Sequence, residues 1–302
     1  MSKSVAAATV SVIIPTFNRA GMIGRCLDSV RAQTFRDLEI VVVDDGSTDD
    51  TRAVVGRYQG VRYVWQENQE RSAARNRGLA ASRGRFVAFL DSDDEWLPEK
   101  LARQVAYLER YPAAGMVHAA CQRKCGEEVR TFFPAESHEP RPLFWDILRR
   151  RCLIAMPTPL IRRDALDAVG GFWTALNCAE DLELWLRIAY RYPIGCIGEP
   201  LAVYHVHEGS GGRLSEREAY RKIVTRAREY VAPAERPALR AAAADLFAYG
   251  AITRRGENRR AETLKMLLTG LRTCGPALMA RPRAASLLAR CLLPLPLRWS
   301  LH

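Results

Sequence analysis

Several patterns that define common protein classes are absent from this chain of 302 residues. No window reaches the ~18 apolar residues that a membrane span needs. The first residues, MSKSVAAATVSVIIPTF, lack the Leu/Ile-rich run of a signal peptide and continue directly into a strand pattern. The eight cysteines show no CxxC or CxxxH spacing, which argues against a zinc site. We therefore expect reduced thiols and a cytoplasmic location.

Two further absences narrow the function. No GxGxxG follows the first strand pattern, which excludes a nicotinamide-dependent dehydrogenase. Basic residues do not alternate with aromatic ones, and no nucleic-acid-binding motif is present, so we expect no nucleic-acid partner. The net charge of +11 instead fits an anionic membrane surface or a phosphorylated substrate.

Strand and helix patterns alternate through the first third of the chain. This alternation predicts an α/β fold, Rossmann-like, in which a mostly parallel sheet carries helices on both faces. Ser47 is expected to cap the second of the helices. The strands are predicted at 10–14, 39–43, 61–65 and 85–90, and the helices at 20–33, 48–58, 72–82 and from Pro98 onwards.

Polar sequence follows three of these strands: PTFN, DDGS and DSDD. In parallel sheets, ligands bind outside the carboxyl ends of the strands. Asp91 and Asp93 form an Asp-x-Asp pattern that can direct oxygen ligands at Mg²⁺ or Mn²⁺, and the cation can grip a diphosphate. A solvated acidic turn that caps the next helix is the alternative. Asp45 stands where a base or ribose could be recognised, and a turn with a helix cap is its alternative.

Five segments resemble the family 2 glycosyltransferases in their order and spacing. The resemblance covers about residues 10 to 210 and implies a GT-A fold and an inverting, metal-dependent hexosyltransferase. The segments are SVIIPTFNR (11–19), EIVVVDDGSTDDT (39–51), SAARNRGLAASRGRFVAFLDSDDEWLPEKL (72–101), EDLELWLR (180–187) and YHVHEGS (204–210).

The resemblance also implies roles for individual residues. A nucleotide would contact the first strand end, the acid after the second strand and a basic residue of the next helix. A divalent cation, Mn²⁺ or Mg²⁺, would sit beside the Asp-x-Asp pattern. The implied residues are Pro15, Phe17, Asp45, Arg75 and Asp91 for the nucleotide, Asp93 and His207 for the metal, and Asp181 for catalysis.

Inversion is a direct displacement at the anomeric carbon, so a base must take the proton of the attacking hydroxyl. The resemblance assigns that base to Asp181, and a metal would carry the charge that grows on the leaving diphosphate. Without the resemblance, the favoured interpretation of Asp181 is an acid that the helix dipole stabilises at a helix N-terminus.

The expected function is transfer of a sugar from a nucleotide diphosphate, a UDP-sugar, to a glycan, lipid-linked or polysaccharide hydroxyl. One alternative is a sugar-nucleotide binding module or inactive homologue without turnover. Another is a nucleotidyltransferase, although PTFNRAGM is not the Gly-rich, basic loop that such an enzyme would show.

The expected organisation is a GT-A domain over 1–212, with a nucleotide half (1–115) and an acceptor half (116–212). A helical, basic extension would follow over 213–302. Residues 270–302 contain five arginines and no acid, interleaved with leucines. This composition suits a helix on an anionic membrane surface, and so a peripheral protein at the inner face of the membrane. A helical hairpin that packs its leucines on the domain is the alternative.

Overall fold

The structure, a computed structural model, describes residues 8–132, 135–176, 178–206, 216–252 and 259–292. The chain forms two compact units. The first, here called the sheet unit, comprises residues 1–147 and 152–213, and the second, the helical unit, comprises 148–151 and 214–302.

One ten-stranded sheet forms the centre of the sheet unit. Its strands are β1 Val10–Thr16, β2 Leu38–Asp44, β3 Val61–Trp65, β4 Phe86–Phe89, β5 Glu95–Trp96, β6 Met116–Cys125, β7 Glu128–Phe132, β8 His138–Arg141, β9 Leu160–Arg162 and β10 Ile194–His205.

The sheet has a parallel half and a mixed half. The strand order is β3-β2-β1-β4-β9-β6-β10-β5, with β7 beside β6 and β8 beside β10. Strands β3, β2, β1 and β4 run parallel, and β10 runs parallel to β6. Strand β9 is antiparallel to both β4 and β6, and β5, β7 and β8 are antiparallel to their neighbours. The parallel half therefore carries β1, β2 and β4 to one common edge, where the polar segments follow.

Helices cover both faces of this sheet. In the described part of the sheet unit they are α1 Ile23–Arg31, α2 Thr51–Val55, α3 Glu70–Ala81, α4 Lys100–Arg110, α5 Phe144–Leu148, α6 Arg163–Val169 and α7 Glu180–Arg191. The described helices of the second unit are α8 Glu216–Tyr230, α9 Arg236–Ile252, α10 Arg259–Cys274 and α11 Pro282–Leu292.

The alternation of side chains along β1 explains why both faces are apolar. Val12 and Ile14 pack with Leu27 of α1 and Leu101 of α4 in one core cluster. Ile13 points to the other face, where Gly78 of α3 lies so close that an added Cβ would be 2.3 Å from its Cγ2. Because successive strand residues face opposite sides, a strand covered on both sides must be apolar throughout.

The start of α2 differs from the prediction. The helix begins at Thr51 after Asp50 and has no side-chain cap, so the prediction that Ser47 caps it is wrong. The Ser47 hydroxyl instead accepts a hydrogen bond from the backbone N–H of Asn18 at 2.8 Å. The hydroxyl thus links the loops after β1 and β2, a contact across 29 residues that helix-capping rules do not consider.

Helices α8 to α11 form the helical unit, and α10 packs against α8, α9 and α11. Their shared interior is lined by apolar side chains, among them Ala243, Phe247 and Leu267. Among the described residues, none of the helices combines the length and apolar character needed to cross a bilayer.

Gly84 generates a stability prediction. A Cβ at this position would lie 2.5 Å from the backbone N of Ser11 and 2.8 Å from the carbonyl carbon of Val10. We expect Gly84→Ala to lower the free energy of unfolding by about 1–3 kcal/mol or more, because β1 backbone cannot move aside as a side chain can. Gly21→Ala is the matched control, since no atom lies within 4 Å of its added Cβ. Urea denaturation measures both, and equal midpoints would contradict the prediction.

Candidate active site

A cleft of about 190 Å³ opens at the carboxyl ends of β1, β2 and β4. Its wall also includes the first turns of α3 and one residue of β10, as expected for a ligand site at the edge of a parallel sheet. The lining residues are Pro15, Thr16, Phe17, Arg19, Asp45, Asn68, Glu70, Arg71, Ala74, Arg75, Asp91, Ser92, Asp93 and Tyr204.

The end of β1 supplies an apolar platform to this cleft. Pro15 is buried, whereas the Phe17 side chain is 40% exposed. An exposed aromatic ring on a cleft wall presents a flat apolar face on which another ring can stack. Pro15 and Phe17, for which the family resemblance implies a nucleobase contact, both line this cleft.

Asp45 lies next to this platform and is only 4% exposed. Its Oδ1 accepts hydrogen bonds from Gln66 Nε2 at 2.7 Å and from the backbone N–H of Gln69 at 2.9 Å. Both bonds use the same oxygen, so Oδ2 can accept a further donor. Asp44 has a different role, because Tyr63 and the Ser47 backbone N–H occupy its two oxygens.

Three acids follow β4 and form the negative side of the cleft. One carboxylate oxygen from each of Asp91, Asp93 and Asp94 lies within 4.8 Å of the others. Burial, and then the charges of Asp91 and Asp93, raise the pKa of Asp94 well above its ordinary value. Its Oδ1 accepts the backbone N–H of His205, and its buried Oδ2 has no partner among the described residues. This orphaned oxygen beside two further acids fits a divalent cation, because such a cation accepts hard oxygen ligands.

Arg75 connects the acids after β4 to α7. The side chain is 1% exposed, and its two terminal nitrogens donate to Asp91 Oδ1 at 2.6 Å and to Glu180 Oε1 at 2.8 Å. Burial opposes the charge, but the two carboxylates outweigh it and raise the pKa of Arg75. The sequence predicts Arg75 in the site, and the structure places it in the cleft wall. The sequence analysis missed Glu180 as its second partner.

Asp181 follows Glu180 at the N-terminus of α7 and does not line the cleft itself. One oxygen accepts the backbone N–H of Leu182 at 2.7 Å. Tyr204, in the cleft wall, lies close enough to both Asp181 and the acids after β4 for their charges to act on its hydroxyl. Burial, and then the charges of Asp94, Asp91, Asp93 and Asp181, raise the pKa of Tyr204 to about 12.

Tyr204 is a site residue that the sequence analysis missed, although it begins the YHVH segment. His207, the metal ligand that the family resemblance implies, lies three positions after Tyr204 and outside the described residues. His205 is described, and its Nε2 contacts Glu95 Oε1 at 2.6 Å. Burial, and then the Arg25 guanidinium, lower the pKa of His205 below its ordinary value.

Comparison with known proteins identifies the class. The model of the family "Glycosyl transferase family 2" matches residues 11–170, more than half of the chain. An uncharacterised glycosyltransferase of Rickettsia felis is 32% identical over 219 residues, which cover 70% of this chain. The chain therefore belongs to glycosyltransferase family 2, as the five segments indicated.

Two further relatives carry more specific names. TuaG of Bacillus subtilis, described as a teichuronic acid biosynthesis glycosyltransferase, is 31% identical over 67% of this chain and 80% of its own length. WfaP of Escherichia coli, a UDP-Glc:α-D-GlcNAc-diphosphoundecaprenol β-1,3-glucosyltransferase, is 36% identical over 33% of this chain and 41% of its own. The matched part of this chain spans about a third of other relatives, including 35% of the Rickettsia felis protein.

Solved structures confirm the GT-A fold. Staphylococcus aureus TarS 1-349 in complex with UDP-GlcNAc superposes with a TM-score of 0.65 at 21% identity, covering 90% of this chain and 91% of that one. The mannosyltransferase PcManGT of Pyrobaculum calidifontis, in complex with GDP-Man and Mn²⁺, gives a TM-score of 0.56 at 24% identity, with coverages of 97% and 78%.

The Arg75–Glu180 contact generates a second prediction. Glu180→Gln leaves the buried guanidinium with one carboxylate, so we expect a loss of about 1–3 kcal/mol of stability. Arg75 then neutralises Asp91 more fully, and the rise in melting temperature on adding Mn²⁺ should shrink.

Glu183→Gln is the matched control for this variant. Glu183 is 1% exposed and pairs with Arg187 on the same helix, away from the cleft lining. It should lose comparable stability and keep the full Mn²⁺-dependent rise. Identical Mn²⁺ responses in both variants would show that Glu180 only anchors α7.

Proposed function

We propose that this chain is an inverting glycosyltransferase that moves a sugar from a UDP-sugar to a hydroxyl of a glycan, lipid-linked or polysaccharide acceptor. The observation that carries the proposal is the arrangement of one cleft. An exposed aromatic ring and a buried carboxylate line one side, and a cluster of acids lines the other. A nucleotide diphosphate needs both, a stacking surface for the base and a cation site for the phosphates.

Each proposed nucleotide contact has a physical basis in the cleft. Phe17 offers its ring to the base beside Pro15, and Asp45 offers Oδ2 to an N–H of the base. Arg75 acts through Asp91, because its two terminal nitrogens already donate to carboxylates. Its part is to hold that acid in place and to balance its charge.

Asp93 is the proposed metal ligand, with Asp91 and Asp94 beside it and His207 as the further ligand that family resemblance implies. Arg19 approaches Asp93 at 3.9 Å, and Arg25 donates to its backbone carbonyl at 2.7 Å. These contacts hold the acid at the cleft. A bound Mn²⁺ or Mg²⁺ would neutralise the diphosphate as it leaves.

Asp181 is the proposed catalytic base. As a carboxylate it can accept the proton of the acceptor hydroxyl while the oxygen attacks the anomeric carbon. The Glu180–Arg75–Asp91 contacts tie its helix to the donor side of the cleft. Tyr204 stays protonated near these acids, since its pKa is raised to about 12.

Two substitutions separate the donor side from the acceptor side. Asp93→Asn should abolish both Mn²⁺-dependent UDP binding and sugar transfer. Asp181→Asn should keep UDP binding and lower transfer by roughly 10² to 10⁴-fold, the usual effect of losing a general base. Calorimetry with UDP and Mn²⁺, and UDP release in the presence of acceptors, measure the two properties.

Asp167→Asn, an exposed acid of α6, is the control and should change neither property. If Asp181→Asn loses UDP affinity together with activity, Asp181 belongs to the donor side and the assignment is wrong. Binding without any turnover in the unchanged protein would instead support the alternative of a binding module.

The acceptor and the location belong to the same proposal. The name of WfaP describes a diphosphoundecaprenol acceptor, and that of TuaG refers to teichuronic acid biosynthesis. An acceptor held in a membrane would favour an enzyme at the inner membrane face. Arg236, Arg240, Arg272 and Arg283 of the helical unit are exposed, and the ion pairs found among the described residues of this unit involve other side chains. Arg281, by contrast, is paired with Asp245 at 2.6 Å.

Vesicle binding checks the proposed location. Each arginine near an anionic surface contributes about 1 kcal/mol, so replacing those four exposed arginines by Gln should lower partitioning onto anionic vesicles at least about tenfold at low salt. Replacing Arg57 and Arg77, exposed arginines of the sheet unit, is the control and should have a smaller effect. If the unchanged protein ignores anionic vesicles in a sedimentation assay, this location is wrong.

A further inference from the structure

Three neighbouring strands bring two histidines and a cysteine into one row, away from the cleft. Cys196 of β10 is in register with His118 of β6 on one side and with His138 of β8 on the other. Residues in register on adjacent strands point to the same face and lie about 5 Å apart. The side chains of His118, Cys196 and His138 must therefore meet.

Their ligand atoms are close enough to share one ion. A nitrogen of each histidine and the Cys196 sulfur all lie within 4.8 Å of one another. Ligands at ~2.0–2.3 Å from a tetrahedral Zn²⁺ are roughly 3.3–3.8 Å apart, so side-chain shifts below about 1 Å would suffice. The Cys196 Sγ to His118 Nδ1 distance is already 3.9 Å.

The protonation state of the His118 ring suits metal binding, whereas burial raises the pKa of the Cys196 thiol to about 12, so that proton must leave when an ion binds. Burial, and then the nearby His138, lower the pKa of His118 to about 4, so its ring is neutral at pH 7. His138 Nδ1 lies 2.8 Å from the backbone carbonyl oxygen of Glu139. A ring that donates Nδ1–H to a carbonyl leaves Nε2 free to bind a metal, which is the usual arrangement of ligating histidines.

Side-chain packing without a metal explains the surroundings of His118 less well than metal binding does. His118 is 1% exposed, and sulfur atoms flank its ring on both sides, since Cys152 Sγ lies 3.9 Å from Nε2. His118 also has a backbone hydrogen bond at Ala119, but its other polar neighbours are thiols, which are weak partners for a buried imidazole. His138 is only half-buried, so an ion can reach the row from the surface.

We propose that His118, His138 and Cys196 bind a Zn²⁺ ion, with a fourth position open to water. Two imidazoles and a thiolate form a soft donor set that selects zinc over magnesium or manganese, unlike the all-oxygen acids after β4. Binding displaces the thiol proton of Cys196 to solvent. The ion would fix β6, β8 and β10 to one another, and β10 carries Tyr204 into the cleft.

Cobalt absorption tests the site on the full-length reduced protein. Co²⁺ bound by a thiolate gives an intense near-ultraviolet charge-transfer band, which oxygen ligands at the acids cannot give. We expect one equivalent of Co²⁺ to produce the band and one equivalent of Zn²⁺ to remove it. Asp93→Asn should leave the band intact, which separates this site from the proposed cation site of the cleft.

The two cysteines beside His118 supply a matched pair of variants. Cys196→Ser should lose the band, and Cys152→Ser should keep it. His138→Gln changes a half-buried residue, so this variant should still fold. It should weaken Co²⁺ affinity at least tenfold because one ligand is lost. Absence of the band in the unchanged protein, or its loss in Cys152→Ser with retention in Cys196→Ser, would overturn the proposal.

Discussion

The buried contact of Arg75 with Asp91 and Glu180 is the constraint on which the cleft depends. A guanidinium withdrawn from water is stable only when carboxylates neutralise it, and removing one partner of such a pair is strongly destabilising. Here the two partners come from different elements, the end of β4 and the start of α7. The same electrostatic requirement therefore ties the acids after β4 to the helix that begins with Glu180 and Asp181.

The acids after β4, by contrast, bring like charges close together. Three carboxylates crowd together, and the buried oxygen of Asp94 has no partner among the described residues. Arg19 and Arg25 reduce the repulsion only in part, since both side chains remain partly exposed to solvent. Like charges this close oppose one another, and the divalent cation proposed for the cleft would neutralise them.

The two candidate metal sites differ in how their ligands reach one place. The hard-oxygen site takes Asp91, Asp93 and Asp94 from a single turn, so its pattern is visible in the sequence. The soft site takes His118, His138 and Cys196 from three strands, and no local spacing marks it. Strand register, set by hydrogen bonding along β6, β8 and β10, is what aligns them. A rule based on CxxC spacing tests only for ligands that are close along the chain.

Local sequence determined the strands of the parallel half, both apolar faces of β1 and the polar turns after β1, β2 and β4. These features depend on the periodicity of neighbouring residues, and parallel strands then bring Phe17, Asp45 and Asp91 to one edge. Tertiary structure alone decided the second partner of Arg75, the place of Tyr204, the role of Ser47 and the insertion of antiparallel β9. Each is a contact between residues far apart in the chain, as in the 105 positions between Arg75 and Glu180. Periodicity carries no information about such contacts, because they arise only when packing and charge neutralisation choose which elements meet.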